Sequence, residues 1–123
     1  LNATEGSVLW MMKMPPGAEE RLWQEARERG IDPDRIVFSD LFGREEHMRI
    51  KSGAQLLLDT MVYNAHSTAA DSLAAGVPIL TLPGASMAAR VGASLLMNAG
   101  ISVLVARKTS DYVQVAVQAA RKG

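Results

Sequence analysis

The chain has 123 residues, 48% of them apolar, with Lys plus Arg and Asp plus Glu at 13 each. That length suits one domain with a single core, and the even charge balance provides no global basic field for nucleic acid or an anionic membrane, so any anion site must be local. The absence of cysteine removes disulfide frameworks and thiolate metal sites and fits a reducing compartment, while no apolar run nears the roughly 20 residues that cross a bilayer and no basic-then-apolar leader opens the chain.

In chain order, Ser7–Met12 predicts a buried strand and Lys13–Gly17 a loop. Ala18–Arg29 repeats apolar residues at Leu22, Trp23 and Ala26 in a charged field, the pattern of an amphipathic helix, and Gly30 stops it. A turn over Ile31–Asp34 leads to a second strand, Arg35–Ser39, and a short helix follows from Arg44 to Ser52. Leu56–Leu58 ends in Asp59-Thr60, and Ile79–Leu82 ends in Pro83-Gly84. Short apolar runs bounded by turn residues fit strands covered on both faces of a parallel sheet. Between two such strands the chain must cross over, and a helix opening on Ser67 and Thr68 and stopped by Gly76-Val77-Pro78 does so. Ala85–Asn98, with Met87, Val91, Leu95 and Leu96, predicts a helix closed by Gly100. Ile101–Ala106 gives a last strand and Ser110–Lys122 a last helix, capped by Thr109 or Ser110. Five strands alternating with five helices predict an α/β fold with a doubly wound parallel sheet, one domain over residues 1–123.

The turn from Asn64 to Thr68 then lies at the carboxyl end of a strand and the start of a helix, the rim where open α/β sheets hold ligands. A helix start offers unpaired backbone N–H groups and a positive dipole end, which suit phosphate. His66 is placed to donate to a phosphate oxygen, with Ser67 and Thr68 adding hydroxyl and amide donors; the plainer reading makes Ser67 a cap and His66 a turn residue. Asp71, one helical turn on, suits two vicinal hydroxyls, as acidic residues in nucleotide-binding folds grip ribose; as a plain first-turn acid it only offsets the dipole. Phe42, Arg44 and His47 offer a flat pocket for a base, against the alternative of a solvated histidine on a charged helix. Both histidines follow neighbouring strands and are positioned to converge. Two isolated histidines make a poor zinc site, so no metal is expected, and no Walker lysine loop, G-x-G-x-x-G or G-x-S-x-G elbow occurs. The scattered methionines read as core filler.

Leu58–Thr81, L-D-T-M-V-Y-N-A-H-S-T-A-A-D-S-L-A-A-G-V-P-I-L-T, preceded by R-I-V-F-S and R-E-E-H and followed by P-G-A-S-M-A-A-R-V-G-A-S-L-L, resembles the C-terminal half of the protein O-linked N-acetylglucosamine transferases. The similarity runs from S-V-L-W to D-Y-V-Q-V-A, nearly the whole chain. The resemblance implies a Rossmann-like C-terminal lobe of a GT-B glycosyltransferase that binds UDP-N-acetylglucosamine as donor substrate, without metal or further cofactor. His47 would stack on uracil, with Arg44 and the backbone at Phe42 beside the same base. His66, Ser67 and Thr68 would hold the diphosphate, Asp71 the ribose, and Tyr63 would approach the sugar's acetamide. The general base is not assigned. The implied acceptor is a protein or peptide, and the implied compartment is the cytoplasm, or nucleus and cytoplasm in a eukaryote. A protein O-fucosyltransferase of the Spindly type using GDP-fucose is an alternative within the enzymes, and a noncatalytic nucleotide-binding scaffold is one outside them. Met61-Val62 stands where relatives often have Phe-Pro, and Ala74 where many have Trp. The family's phosphate-contacting lysine, its N-terminal catalytic lobe and its tetratricopeptide repeats would lie upstream. The chain is therefore expected to be part of a longer protein and inactive alone.

Overall fold

Leu9–Met12 forms β1 and Ile36–Ser39 forms β2, and the two pair in parallel, with Leu9 opposite Ile36 and Met12 opposite Ser39. Parallel neighbours need a crossover, which is supplied by α1, Ala18–Glu28, in the computed structural model that describes residues 1–122. Gly17 enters α1 at a φ of 84°, a left-handed conformation that glycine adopts without a Cβ penalty. Trp23 on α1 donates its indole N–H to Ile36 O at 3.2 Å and meets Phe38 edge-on, with ring centroids 5.4 Å apart. One side chain thus carries both the polar and the apolar contact between helix and strand. Arg35 donates to the carbonyls of Leu1, Thr4 and Ser7 at 3.1, 2.5 and 2.8 Å, which ties the leading segment to the start of β2. These elements belong to the first of two compact units, Leu1–Gly43; the second begins at Arg44.

The second unit contains α2 (Arg44–Lys51), β3 (Leu57–Leu58), α3 (Ser67–Ala74), β4 (Ile79–Leu80), α4 (Val91–Asn98) and α5 (Thr109–Lys122). Strands β3 and β4 pair in parallel, Leu57 opposite Ile79, and Thr81 makes a further parallel bridge to Val105. β4 therefore lies between two neighbours, and Ile79, Leu80 and Thr81 are completely buried. Ala69 from α3 and Leu96 from α4 pack on Ile79 to form the core, joined by Leu57, Leu73, Leu95, Ile101, Leu104 and Val105.

Several expectations change. The strand expected over Ser7–Met12 is Leu9–Met12 and is only half-buried, and among the described residues four strands form, as the parallel pairs β1-β2 and β3-β4, in place of five in one sheet. β3 is not covered on both faces, since Leu58 is 43% exposed. The helix expected over Ala85–Asn98 starts only at Val91. Asn64 N donates to the Ala88 carbonyl at 2.8 Å and Gly84 N to that of Ala89 at 2.8 Å, so these acceptors serve loop amides rather than a helical ladder; Ser86 Oγ accepts from Ala89 N within the turn that precedes α4. The strand expected over Ile101–Ala106 is a 3₁₀ turn, Ser102–Leu104, followed by the single bridge at Val105. Here Ile101 N is already donated to Leu96 O as α4 closes around Gly100, so extended pairing begins four residues later. Parallel strands alternating with helices make this an α/β, Rossmann-like fragment. Among the described residues no helix is long and apolar enough to cross a membrane.

Candidate functional site

The loop between β3 and α3 is built on a buried carboxylate. Asp59, at the carboxyl end of β3, is 4% exposed. Its Oδ1 accepts from the amides of Thr60 and Ala65 at 3.0 and 2.8 Å, and its Oδ2 accepts from the Thr81 hydroxyl at 2.8 Å. Asn64, also completely buried, donates from Nδ2 to Thr60 O at 2.7 Å and accepts at Oδ1 from Gly92 N at 3.1 Å. Gly92 permits this close approach of α4: a Cβ there would stand 2.4 Å from Asp59 Oδ2 and 2.7 Å from Thr81 Oγ1. Tyr112 on α5 donates to Asp59 O at 2.8 Å, and burial, with the Asp59 charge second, pushes its hydroxyl up from 10.0 to about 12. Elements β3, β4, α4 and α5 thus converge around Asp59, and its buried carboxylate is tolerated because Thr60 N, Ala65 N and the Thr81 hydroxyl occupy its lone pairs.

What that scaffold delivers is the start of α3. His66 occupies the cap position and makes no side-chain capping bond, while its carbonyl accepts from Ala69 and Ala70 N at 3.1 Å. Ser67 is therefore the first helical residue, not the cap. The amides of Ser67 and Thr68 donate to no group among the described residues, and both residues are exposed. The His66 ring stacks on Tyr63, centroids 4.8 Å apart and 21° from parallel, and its Nε2 is buried without a hydrogen-bond partner among the described residues. Two free amides, a positive helix end and an imidazole nitrogen without a partner among the described residues are groups whose chemistry suits an anion.

Beside it lies α2. Arg44, His47 and Lys51 fall at i, i+3 and i+7, a single stripe of the helix. Both ends of the stripe reach α3: Arg44 Nη2 meets Asp71 Oδ1 at 3.1 Å, and Lys51 Nζ donates to Thr68 O at 3.3 Å. His47, half-buried with Nδ1 inside, lies between these two attachments. Lys51 is only 5% exposed; burial lowers its pKa, and the Asp71 charge works against that shift. Asp71 Oδ2 accepts from no donor among the described residues.

The structure therefore joins Arg44 with Asp71, stacks Tyr63 on His66, and leaves the Ser67 and Thr68 amides without an acceptor among the described residues. Phe42, 37% exposed, belongs to the first unit. Sequence reading missed Lys51, although the i, i+3, i+7 stripe was there to be read. It also missed the buried network of Asp59, Asn64, Thr81 and Gly92; for Asp59 the signal was a polar pair closing an apolar run.

The sequence model of glycosyl transferase family 41 matches residues 1–122. A UDP-N-acetylglucosamine–peptide N-acetylglucosaminyltransferase of Caenorhabditis elegans is 42% identical over 112 residues, 91% of this chain and 10% of that protein. A protein of Arabidopsis thaliana named as a probable UDP-N-acetylglucosamine–peptide N-acetylglucosaminyltransferase, SEC, is 36% identical over 121 residues, 98% of this chain and 12% of that one. The chain thus spans about a tenth of the length of these relatives. The solved structure of a mutant O-GlcNAc transferase of Thermobaculum terrenum superposes with a TM-score of 0.87 at 30% identity, over 93% of this chain and 22% of that one.

Proposed function

This chain belongs to glycosyl transferase family 41, and on that premise we propose that it forms the donor-binding lobe of a protein O-N-acetylglucosaminyltransferase. Residues 1–123 hold UDP-N-acetylglucosamine while the sugar passes to a Ser or Thr hydroxyl of an acceptor protein. The observation that carries this reading is the start of α3, where the Ser67 and Thr68 amides and His66 Nε2 are all unspent beside Asp71. The diphosphate sits on those amides, the ribose hydroxyls on Asp71, and uracil against His47, with Arg44 contributing to the base and Tyr63 to the sugar.

In the transfer, the bond from the anomeric carbon to the β-phosphate oxygen breaks as the acceptor oxygen attacks, and negative charge gathers on the departing UDP. Donors already aimed at that charge lower the barrier without reorganising. The upstream lobe of the longer protein completes the acceptor cleft.

Calorimetric titration of the full-length protein tests the reading. UDP binds, GDP binds more weakly, and His66→Ala weakens UDP by about ten- to hundredfold, the worth of one hydrogen bond to a charged group. GDP binding as tightly as UDP refutes the uridine assignment and favours a GDP-sugar donor; unchanged UDP affinity in His66→Ala refutes the phosphate role.

A further inference from the structure

Lys51 is a cation in a place where a cation is costly. It is 5% exposed, and its Nζ donates to the Thr68 carbonyl at 3.3 Å, within the first turn of α3. That turn carries the positive end of the helix dipole, which repels an ammonium, and Lys51 has no ion pair among the described residues. Burying a lysine there brings a desolvation cost that the nearby Asp71 charge offsets only in part, while its hydrogen bond gives a tie to α3 that a buried aliphatic side chain would not.

Geometry shows what that is. The Thr68 carbonyl belongs to a residue whose own amide is one of the free donors of the anion receptor, and Ser72 Oγ holds the same carbonyl from within α3 at 2.9 Å. Lys51 comes from the last turn of α2, whose first turn is tied to Asp71 by Arg44. Arg44 is 80% exposed, a weak tether in water; Lys51 is the buried one. His47, one turn before Lys51, is carried on the same stripe.

We infer that Lys51 is a positioning residue: by pinning α2 to the first turn of α3, it sets the span between the base-holding His47 and the diphosphate-holding amides. The inference rests on the donor-site reading above. It assigns Lys51 no contact with the ligand. A nucleoside diphosphate is two ligands joined by a fixed linker, and its affinity depends on both subsites being reachable at once. Loosening the α2–α3 register therefore weakens the joined ligand while leaving each half bound as before.

The test uses the full-length protein, with UDP, uridine and pyrophosphate titrated separately against wild type, Lys51→Met, Lys51→Gln and Lys51→Arg. Methionine keeps the length of the aliphatic stem and loses the donor; glutamine keeps a polar tip one atom short of the carbonyl and is read in the same way if the methionine variant does not fold. Expected for both is a loss in UDP affinity of about tenfold, with uridine and pyrophosphate unchanged within about twofold, and recovery of most of the UDP affinity in Lys51→Arg, which keeps a long donor. Parallel loss of uridine, pyrophosphate and UDP shows general damage to the fold and overturns the inference, as does UDP affinity equal to wild type. A wild-type protein that does not bind UDP removes the donor site itself, and this inference with it; a wild-type protein that binds UDP while the variants are unaffected removes the inference alone.

Discussion

Gly92→Ala tests the buried network under the site, and its outcome runs against helix propensity. Gly92 lies inside α4, where alanine is favoured over glycine by about 1 kcal/mol. The added Cβ, however, would stand 2.4 Å from Asp59 Oδ2 and 2.7 Å from Thr81 Oγ1, and those two atoms are themselves bonded at 2.8 Å. Neither is the loose end of a flexible side chain: Asp59 is also held by Thr60 and Ala65 N, and Thr81 is completely buried. Overpacking of this kind costs about 2 kcal/mol, and parting the charge-assisted bond costs about 2 kcal/mol more. After the propensity gain, a net loss of about 3 kcal/mol remains, which falls on local opening of the β3–α3 loop and the start of α4. Hydrogen exchange of the full-length protein reads it directly. Peptides covering residues 59–66 and 89–96 should exchange about a hundredfold faster in the variant. Protection within threefold of wild type, or increased protection, would refute the close approach of α4 to Asp59.

Two further outcomes follow from the same geometry. Because the Tyr112 hydroxyl is raised from 10.0 to about 12, the neutral phenol is the form the fold favours. Its contribution is complete below pH 10 and is lost as pH rises from about 10 to about 12, with a ceiling of about 2.7 kcal/mol that partial solvent contact reduces to roughly half. Wild type should exceed Tyr112→Phe by about 1 kcal/mol at pH 8 through the bond to Asp59 O, and denaturation midpoints should converge near pH 12; a pH-independent difference contradicts the buried phenol. Arg44→Ala should shift stability by less than about 1 kcal/mol, as an exposed pair does, yet weaken UDP binding severalfold because Asp71 loses its orienting partner. Calorimetry giving wild-type affinity would show that the Arg44–Asp71 pair does not serve the ribose.

How far the site was legible depends on how local each cause is. A helix start after an apolar strand is a property of neighbouring residues, so His66, Ser67, Thr68 and Asp71 could be placed at the opening of a helix from sequence alone, and α1 and α2 come within a residue of their expected ends. The expected strand over residues 101–106 and the expected helix from Ala85 failed for a shared reason. Both stretches have suitable side chains, but their backbone groups are claimed from elsewhere in the chain, by Leu96 O in one case and by Gly84 and Asn64 N in the other.

The sequence alone determined the alternation of strands and helices, the helix start at Ser67 and the family resemblance, because hydrophobic period, turn residues and motif spacing are all written along the chain. Only the tertiary structure decided that Lys51 is buried against Thr68, that Arg44 reaches Asp71, and that Asp59 gathers Ala65 and Thr81 at its carboxylate and Tyr112 at its backbone carbonyl. Those partners are 6 to 53 residues apart, and which polar groups satisfy one another at such separations is fixed by how helices pack on β4, not by any pattern readable along the chain.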